Sequence, residues 1–399
     1  MKRVYIITLL CCLLVIYIFG GNNYKKVKQE KGMKVVDVGF IYIGDESTPY
    51  TSNFINVEKY LATTYGNKVK IHAITNVTEG NEGVPLQHLV DEGCDIIFAT
   101  SYGYQETVKE FAAKYPDIEF CQATGDNIKD EPVLDNYHTF MGHIYEGRYV
   151  CGVIAGMKLK ELINDGVIAA DQAKVGYVAP YPYAEVISGY TAFYMGVHSE
   201  VPQATMNVIY TNSWNNYNLE KKAASRLINN GCIIISQGSD TIGPALACET
   251  ATVDHPVYHV GYNQSTVDVA PTSSLISCRI NWQPYIVSAV DAVMRGHDIE
   301  ADLAADINGN DAGAGFDQGW VEMLELNNNI ATEGSDEVES KLIAGFENKS
   351  IEVFVGDFTG TDPLNSSDTI SLTKPYKENE GSSAPSFHYV LDDVITIIE

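Results

Sequence analysis

Short apolar runs rich in β-branched residues alternate with amphipathic stretches along most of the chain. Buried parallel strands separated by covering helices produce this rhythm. In the first half it predicts strands at 35–43, 68–74, 95–99, 119–123 and 138–142, with helices at 54–65, around 86–91 and at 106–114. After a helix at 145–162 the rhythm restarts. Strands are predicted near 174–179, 205–211, 232–236, 257–261 and 274–279, and helices at 184–199, 218–230 and 242–251. A further helix at 283–296 is closed by Gly296. The tail from Glu300 is acidic and rich in Asn, Gly and Asp; a strand at 351–355 and an apolar segment at 389–398 are the elements predicted there, both returning to the body.

Two successive strand–helix series with no long linker between them imply two doubly wound α/β lobes facing each other across a cleft. With 399 residues the chain has room for two domains of ordinary size. The expected division is 35–142 with about 283–350 in lobe 1, and 143–282 with about 351–399 in lobe 2. Ahead of them, 1–20 reads as a signal peptide or anchor: Lys2 and Arg3 precede an apolar run from Val4 to Phe19, and Gly20-Gly21 supplies small residues for cleavage. The lysine-rich stretch 21–34 reads as a linker. Export follows, to the cell-membrane surface or beyond, and membrane association is expected through the N-terminus. Cys11 and Cys12 lie inside the apolar run rather than after it, which gives lipid attachment weak support.

A net charge of −26 repels phosphate backbones and argues against nucleic-acid binding. Six cysteines lie beyond the leader: Cys94, Cys121, Cys151, Cys232, Cys248 and Cys278. None forms a CxxC pair and four sit in or beside predicted buried strands, so they are read as core thiols rather than disulfides or zinc ligands.

Catalytic signatures are missing from the sequence: it has no GxSxG, Walker loop or HExxH, and no GxGxxG after the first strand. His255 and His259 have metal-like spacing, but four residues along a strand separate them by roughly 13 Å. Neither an enzyme, a cofactor nor a metal site is expected. What stands out is aromatic and amide residues where strands end. These are Tyr50, Asn53 and Phe54 after the first strand, Tyr102 after the third, then Trp214, Gln237, Asp240 and Asn263 in the second lobe. Flat rings with amide and carboxylate partners suit a planar ligand rich in heteroatoms.

The series Asp95-Ile-Ile-Phe-Ala-Thr-Ser-Tyr-Gly-Tyr104, Tyr145-Glu-Gly-Arg-Tyr149, Thr211-Asn-Ser-Trp214 and Val260-Gly-Tyr-Asn263 resembles the basic membrane protein family of substrate-binding proteins, of the purine nucleoside receptor type. The resemblance implies the periplasmic-binding-protein type I fold, two lobes joined by three crossovers, and delivery of a purine nucleoside or nucleobase to an ABC permease. It further implies that Tyr50 and Trp214 hold the base between them while Gln237, Asp240 and Asn263 supply polar contacts. Asn263 stands where the family has an aspartate, Ile280 where it has a lysine, and Ser47 where it has another aspartate. A membrane-tethered ligand sensor of the same fold, signalling to a receptor, is the alternative reading.

Overall fold

The computed structural model describes residues 34–252 and 255–399. The signal or anchor at 1–20 and all but the last residue of the linker lie outside the described residues, so their expected roles are not addressed by it.

The first half supplies β1 (Val36–Ile41), α1 (Pro49–Tyr65), β2 (Val69–Ile74), α2 (Gly83–Asp91), β3 (Ile96–Ala99), α3 (Gln105–Lys114), β4 (Glu119–Ala123) and β5 (Tyr137–Gly142). The second series runs α4 (Tyr145–Asn164), β6 (Lys174–Ala179), α5 (Ala184–Glu200), β7 (Thr205–Tyr210), α6 (Tyr217–Asn229), β8 (Ile234–Gln237), α7 (Gly243–Ala251), β9 (Tyr258–Tyr262) and β10 (Ser274–Ile280). Then come α8 (Gln283–Arg295), β11 (Asp306–Asn308), β12 (Asp311–Ala314), β13 (Val321–Met323), α9 (Ser335–Glu347), β14 (Thr359–Asp362), β15 (Asn365–Ser371), β16 (Val390–Leu391) and β17 (Ile395–Ile397).

Two seven-stranded sheets result, in the orders β11-β12-β5-β4-β3-β1-β2 and β13-β10-β9-β8-β6-β7-β17. Each is parallel except at one edge, where β11 runs antiparallel to β12 and β13 antiparallel to β10. Strands β3 and β5 are buried at every position because helices cover both faces. The chain passes from sheet to sheet three times: between β5 and β6, between β10 and β11, and between β12 and β13. This is the periplasmic-binding-protein type I arrangement.

Local chemistry sets the element ends. Pro49 occupies the first turn of α1, where its missing N–H costs nothing, so this helix begins earlier than the predicted position 54. Gly296 closes α8 at a φ of 67°, which a residue with a Cβ adopts at a cost. In the second lobe α4 and α5 approach so closely that a Cβ on Gly152 would collide with the Phe193 carbonyl, and one on Gly196 with the Tyr149 carbonyl.

The tail departs most from expectation. Residues 351–355 form no strand; Phe354 makes an isolated bridge to Tyr376 and stacks on Phe387 at 4.6 Å, so the apolar run anchors an aromatic cluster instead of a ladder. Of the 283–350 stretch, β11 and β12 join the first sheet, whereas β13 joins the second and α9 packs on α4. Within 389–398, β16 completes a small sheet with β14 and β15, and β17 pairs in parallel with β7. All six described cysteines are buried and unbridged, as read from their strand positions. Among the described residues no helix is long and apolar enough to cross a membrane.

Candidate functional site

The C-terminal ends of the two sheets' strands converge on a cavity of about 30 Å³. Its walls include Tyr50, Thr100, Ser101, Tyr102 and Thr124 from the first lobe, and Glu185, Trp214, Gly238, Asp240 and Tyr262 from the second. That volume is about one water's share of liquid, so a larger ligand is admitted only when the walls move apart.

Tyr50 and Asn53 sit in the first two turns of α1 rather than in a loop. The Tyr50 hydroxyl donates to the Thr100 carbonyl at 2.8 Å, which fixes the ring at the cavity wall. Tyr102 lines the opposite part of the first lobe, its hydroxyl donating to Asp126 at 2.8 Å and its ring 5.3 Å from that of Tyr183 in the second lobe. Phe54 is fully buried and stacks on Trp282 at 4.7 Å, so it belongs to the core beneath the wall and not to the wall itself. Asn53 faces the other lobe: Nδ2 donates to the Asn263 carbonyl at 3.0 Å, and Arg279 donates to its Oδ1 at 3.2 Å. It ties the two lobes together.

On the second lobe, Trp214 follows β7 and packs edge-on against Tyr181 with ring centres 5.2 Å apart. Its Nε1 is buried without a hydrogen-bond partner among the described residues. The Asp240 amide donates to the Trp214 carbonyl at 3.0 Å, which joins the loop after β7 to the loop after β8. Gln237 is spent on that second loop: its amide donates to the Ser239 and Thr241 carbonyls at 2.7 and 2.8 Å, and its oxygen meets His259 Nε2 at 2.9 Å. It shapes the wall without lining the cavity. His259 is a buried core histidine, also 3.1 Å from Thr266, and burial pushes it down to about 3. Asn263 adopts a φ of 63°, donates to Asp240 Oδ1 at 3.0 Å and leaves its own Oδ1 buried and unpartnered.

Two carboxyls meet at this cavity. Burial pushes Asp240 up to about 8, against the lowering effect of the Asn263 bond, with Glu220 and Glu185 adding repulsion. Glu185 opens partly into the cavity, yet the surrounding protein pushes it up to about 7, opposed by Arg148. Beneath them Arg148 lies 3.6 Å from the centre of the Tyr262 ring and donates to the Gln237 carbonyl at 2.7 Å. A carboxyl near neutral can donate one hydrogen bond and accept others, so it can read either kind of edge on a heterocycle.

Glu185, Tyr262 and Thr124 escaped the strand-end argument. The loop 180–183 follows β6 as Trp214 follows β7, so the same argument applied to β6 reaches Tyr181, Tyr183 and Glu185. Thr124 has no sequence signal: it holds a φ of 62°, strained for a β-branched residue, at the end of β4. Away from the cavity, Asp362, Asp368 and His388 on the small sheet form the described group whose ligand atoms lie within 4.8 Å of one another, near enough to share an ion.

Two α/β lobes joined by three passages, with aromatic and carboxyl groups meeting where strands of both sheets end, define a two-lobed solute-binding protein. The chain belongs to the Bmp family, described as ABC transporter substrate-binding protein PnrA-like, whose model matches residues 35–353. It is 32% identical over 282 residues to a purine-binding protein of Brucella abortus, covering 70% of this chain and 73% of that one. A putative ABC transporter glucose-binding protein of Haloferax volcanii is 32% identical over 202 residues, 51% of this chain and 46% of its own. Among solved structures, an ABC transporter solute-binding protein of Aeropyrum pernix shares the fold with a TM-score of 0.62 at 16% identity, covering 79% of this chain and 87% of that one. The chain is therefore an extracytoplasmic substrate-binding protein whose partners are a ligand and an ABC permease.

Proposed function

We propose that the cleft captures a purine nucleoside or nucleobase for uptake, with the base between Tyr50 and Trp214. The observation that carries this reading is that both rings line one cavity together with the Asp240 and Glu185 carboxyls. Stacking fixes the plane of the ligand, and carboxyls near neutrality bond its ring nitrogens and exocyclic groups. Similarity to a purine-binding protein over 70% of the chain supports the same ligand class. Closure about the three passages then buries the base and presents a joined surface to the permease.

The experiment is a thermal-shift series with adenosine, guanosine, inosine, adenine and hypoxanthine, alongside glucose and adenosine monophosphate. At least one purine base or nucleoside should raise Tm, since a ligand that binds only the folded protein stabilises it by mass action. Trp214→Ala should weaken that ligand by about 1–3 kcal/mol, the range for base–aromatic stacking. A shift with glucose and with none of the purines would reject the assignment, and unchanged affinity in Trp214→Ala would remove that ring from the site.

A further inference from the structure

A smaller cavity, of about 10 Å³, adjoins the cleft cavity and shares Glu185, Gly238 and Tyr262 with it. Its other walls include Arg148 on α4, Tyr177 on β6 and Gly189 on α5. That volume holds one water-sized group, an oxygen or an amino nitrogen, and no ring. Two glycines keep it open around the Tyr177 hydroxyl. A Cβ built on Gly238 would stand 3.0 Å from that oxygen, and one on Gly189 would stand 3.8 Å from both that oxygen and Arg148 Nε.

The polar groups around this annex are ones the fold leaves unused. Tyr177 is only 1% exposed, yet its hydroxyl makes no hydrogen bond among the described residues. The Tyr262 hydroxyl and the Glu185 carboxyl are likewise without one. Arg148 donates to the Gln237 carbonyl at 2.7 Å, while its Nε is buried with no partner among the described residues. Its charge acts on Glu185 with no ion pair between the two. Phenolic O–H groups and a positive charge therefore stand beside a carboxyl that accepts. Leaving such groups unpaired in a buried site is costly, so the arrangement suits a partner that presents an acceptor and a donor side by side.

We infer, building on the purine reading of the cleft, that the annex selects purines with a 6-oxo group, whose lactam edge sets a carbonyl beside a ring N–H. The carbonyl oxygen enters the annex and accepts from the Tyr177 hydroxyl in the field of Arg148, while the neighbouring N–H donates to Glu185. A 6-amino purine presents the reverse pattern, an amino group beside an accepting ring nitrogen. Its amino hydrogens would face the guanidinium charge, and its ring nitrogen would meet a carboxyl that donates only when protonated. Tyr177 and Glu185 are thus the residues that tell hypoxanthine from adenine, and stacking between Tyr50 and Trp214 is common to both.

Calorimetric titration of the full chain with hypoxanthine, adenine and unsubstituted purine, and with the riboside of each, tests this. In whichever series binds, the 6-oxo member should bind about tenfold tighter than the other two, because they leave the buried donors unpaired. Gly189→Ala fills the annex with a methyl at ordinary contact distance, and Tyr177→Phe removes its donor. Either change should weaken the 6-oxo ligand about tenfold and leave the unsubstituted one within about twofold, and two variants keep the test decisive should one fold poorly. Purine binding without a 6-oxo preference, or a preference that survives in the folded variants, would overturn the inference while leaving the purine reading intact. Failure of every purine to bind would overturn that reading, and the inference with it.

Discussion

Replacing Asp240 by asparagine isolates the electrostatic cost of burying a carboxyl at the cleft. In the folded protein burial raises this group to about 8, whereas an unfolded chain restores an aspartate near 3.9. A carboxyl raised on folding holds its proton in the native state and loses it in the unfolded one. Its contribution is therefore fully favourable below the unfolded value and is lost as pH climbs toward the folded value. Within that window the loss is at most about 1.4 kcal/mol per pH unit for a single group. Between pH 5 and pH 7 the ceiling is thus about 2.7 kcal/mol, and local relaxation on ionisation reduces it to about 1–2 kcal/mol. The amide introduced by Asp240→Asn would accept the same bond from Asn263 and titrate nothing. Urea unfolding of both proteins at pH 5, 6, 7 and 8 should show the native protein losing stability relative to Asp240→Asn by that amount from pH 5 to 7. The part of the Glu185 contribution that does not depend on Asp240 is common to both chains and drops out of the difference, which leaves Asp240 and its repulsion with Glu185. Parallel profiles would refute the claim that Asp240 is buried in the protonated form.

Two other perturbations follow from the geometry. Asn53→Ala removes both the bond to the Asn263 carbonyl and the acceptor for Arg279, so the lobes should separate more readily; small-angle scattering should show a larger radius of gyration and ligand affinity should fall by about 1–2 kcal/mol. With all six described cysteines buried and unbridged, reducing agent should leave Tm unchanged, and a quantitative disulfide in a non-reducing peptide map would contradict the structure.

The architecture is legible wherever strands buried on both faces carry apolar runs that helices must cover, as in β3 and the start of β8; β5 is equally buried although His138 and Thr139 interrupt its run. Helix ends are legible where one residue dictates the backbone, as at Gly296; Thr48-Pro49 carries an equally plain start signal, which the apolar run beginning at Phe54 masks. The tail is harder because its strands are short and exposed. Every residue of β11 and most of β15 face solvent, so no alternation marks them. At the site, residues that end strands are found by position alone: Tyr50, Tyr102, Trp214 and Asp240 line the cavity. Position cannot separate wall from support. Phe54, Gln237 and Asn53 obey the same rule as the wall residues, yet their contacts are with Trp282, His259 and Arg279. Only tertiary packing distinguishes them: the Asn53–Arg279 contact spans 226 residues, and even the Gln237–His259 contact joins two separate strands 22 residues apart.

Charge narrows the ligand further under the purine reading. A net charge of −26 sets an unfavourable field for anions approaching from outside, and at the cavity the wall residues Asp240 and Glu185 are acids with no lysine or arginine among the lining groups. Arg148 is the nearest buried cation described there, but it is committed to the Tyr262 ring and the Gln237 carbonyl. A phosphate has no donor cluster of the kind that tight phosphate sites supply. It would instead push the two carboxyls toward their protonated forms and lose the hydration it has in water. Bases and nucleosides escape both costs because they arrive neutral and present donors and acceptors that near-neutral carboxyls can match. The same acids that cost stability when the cleft closes thus select against nucleotides, which is why adenosine monophosphate is the discriminating control beside adenosine.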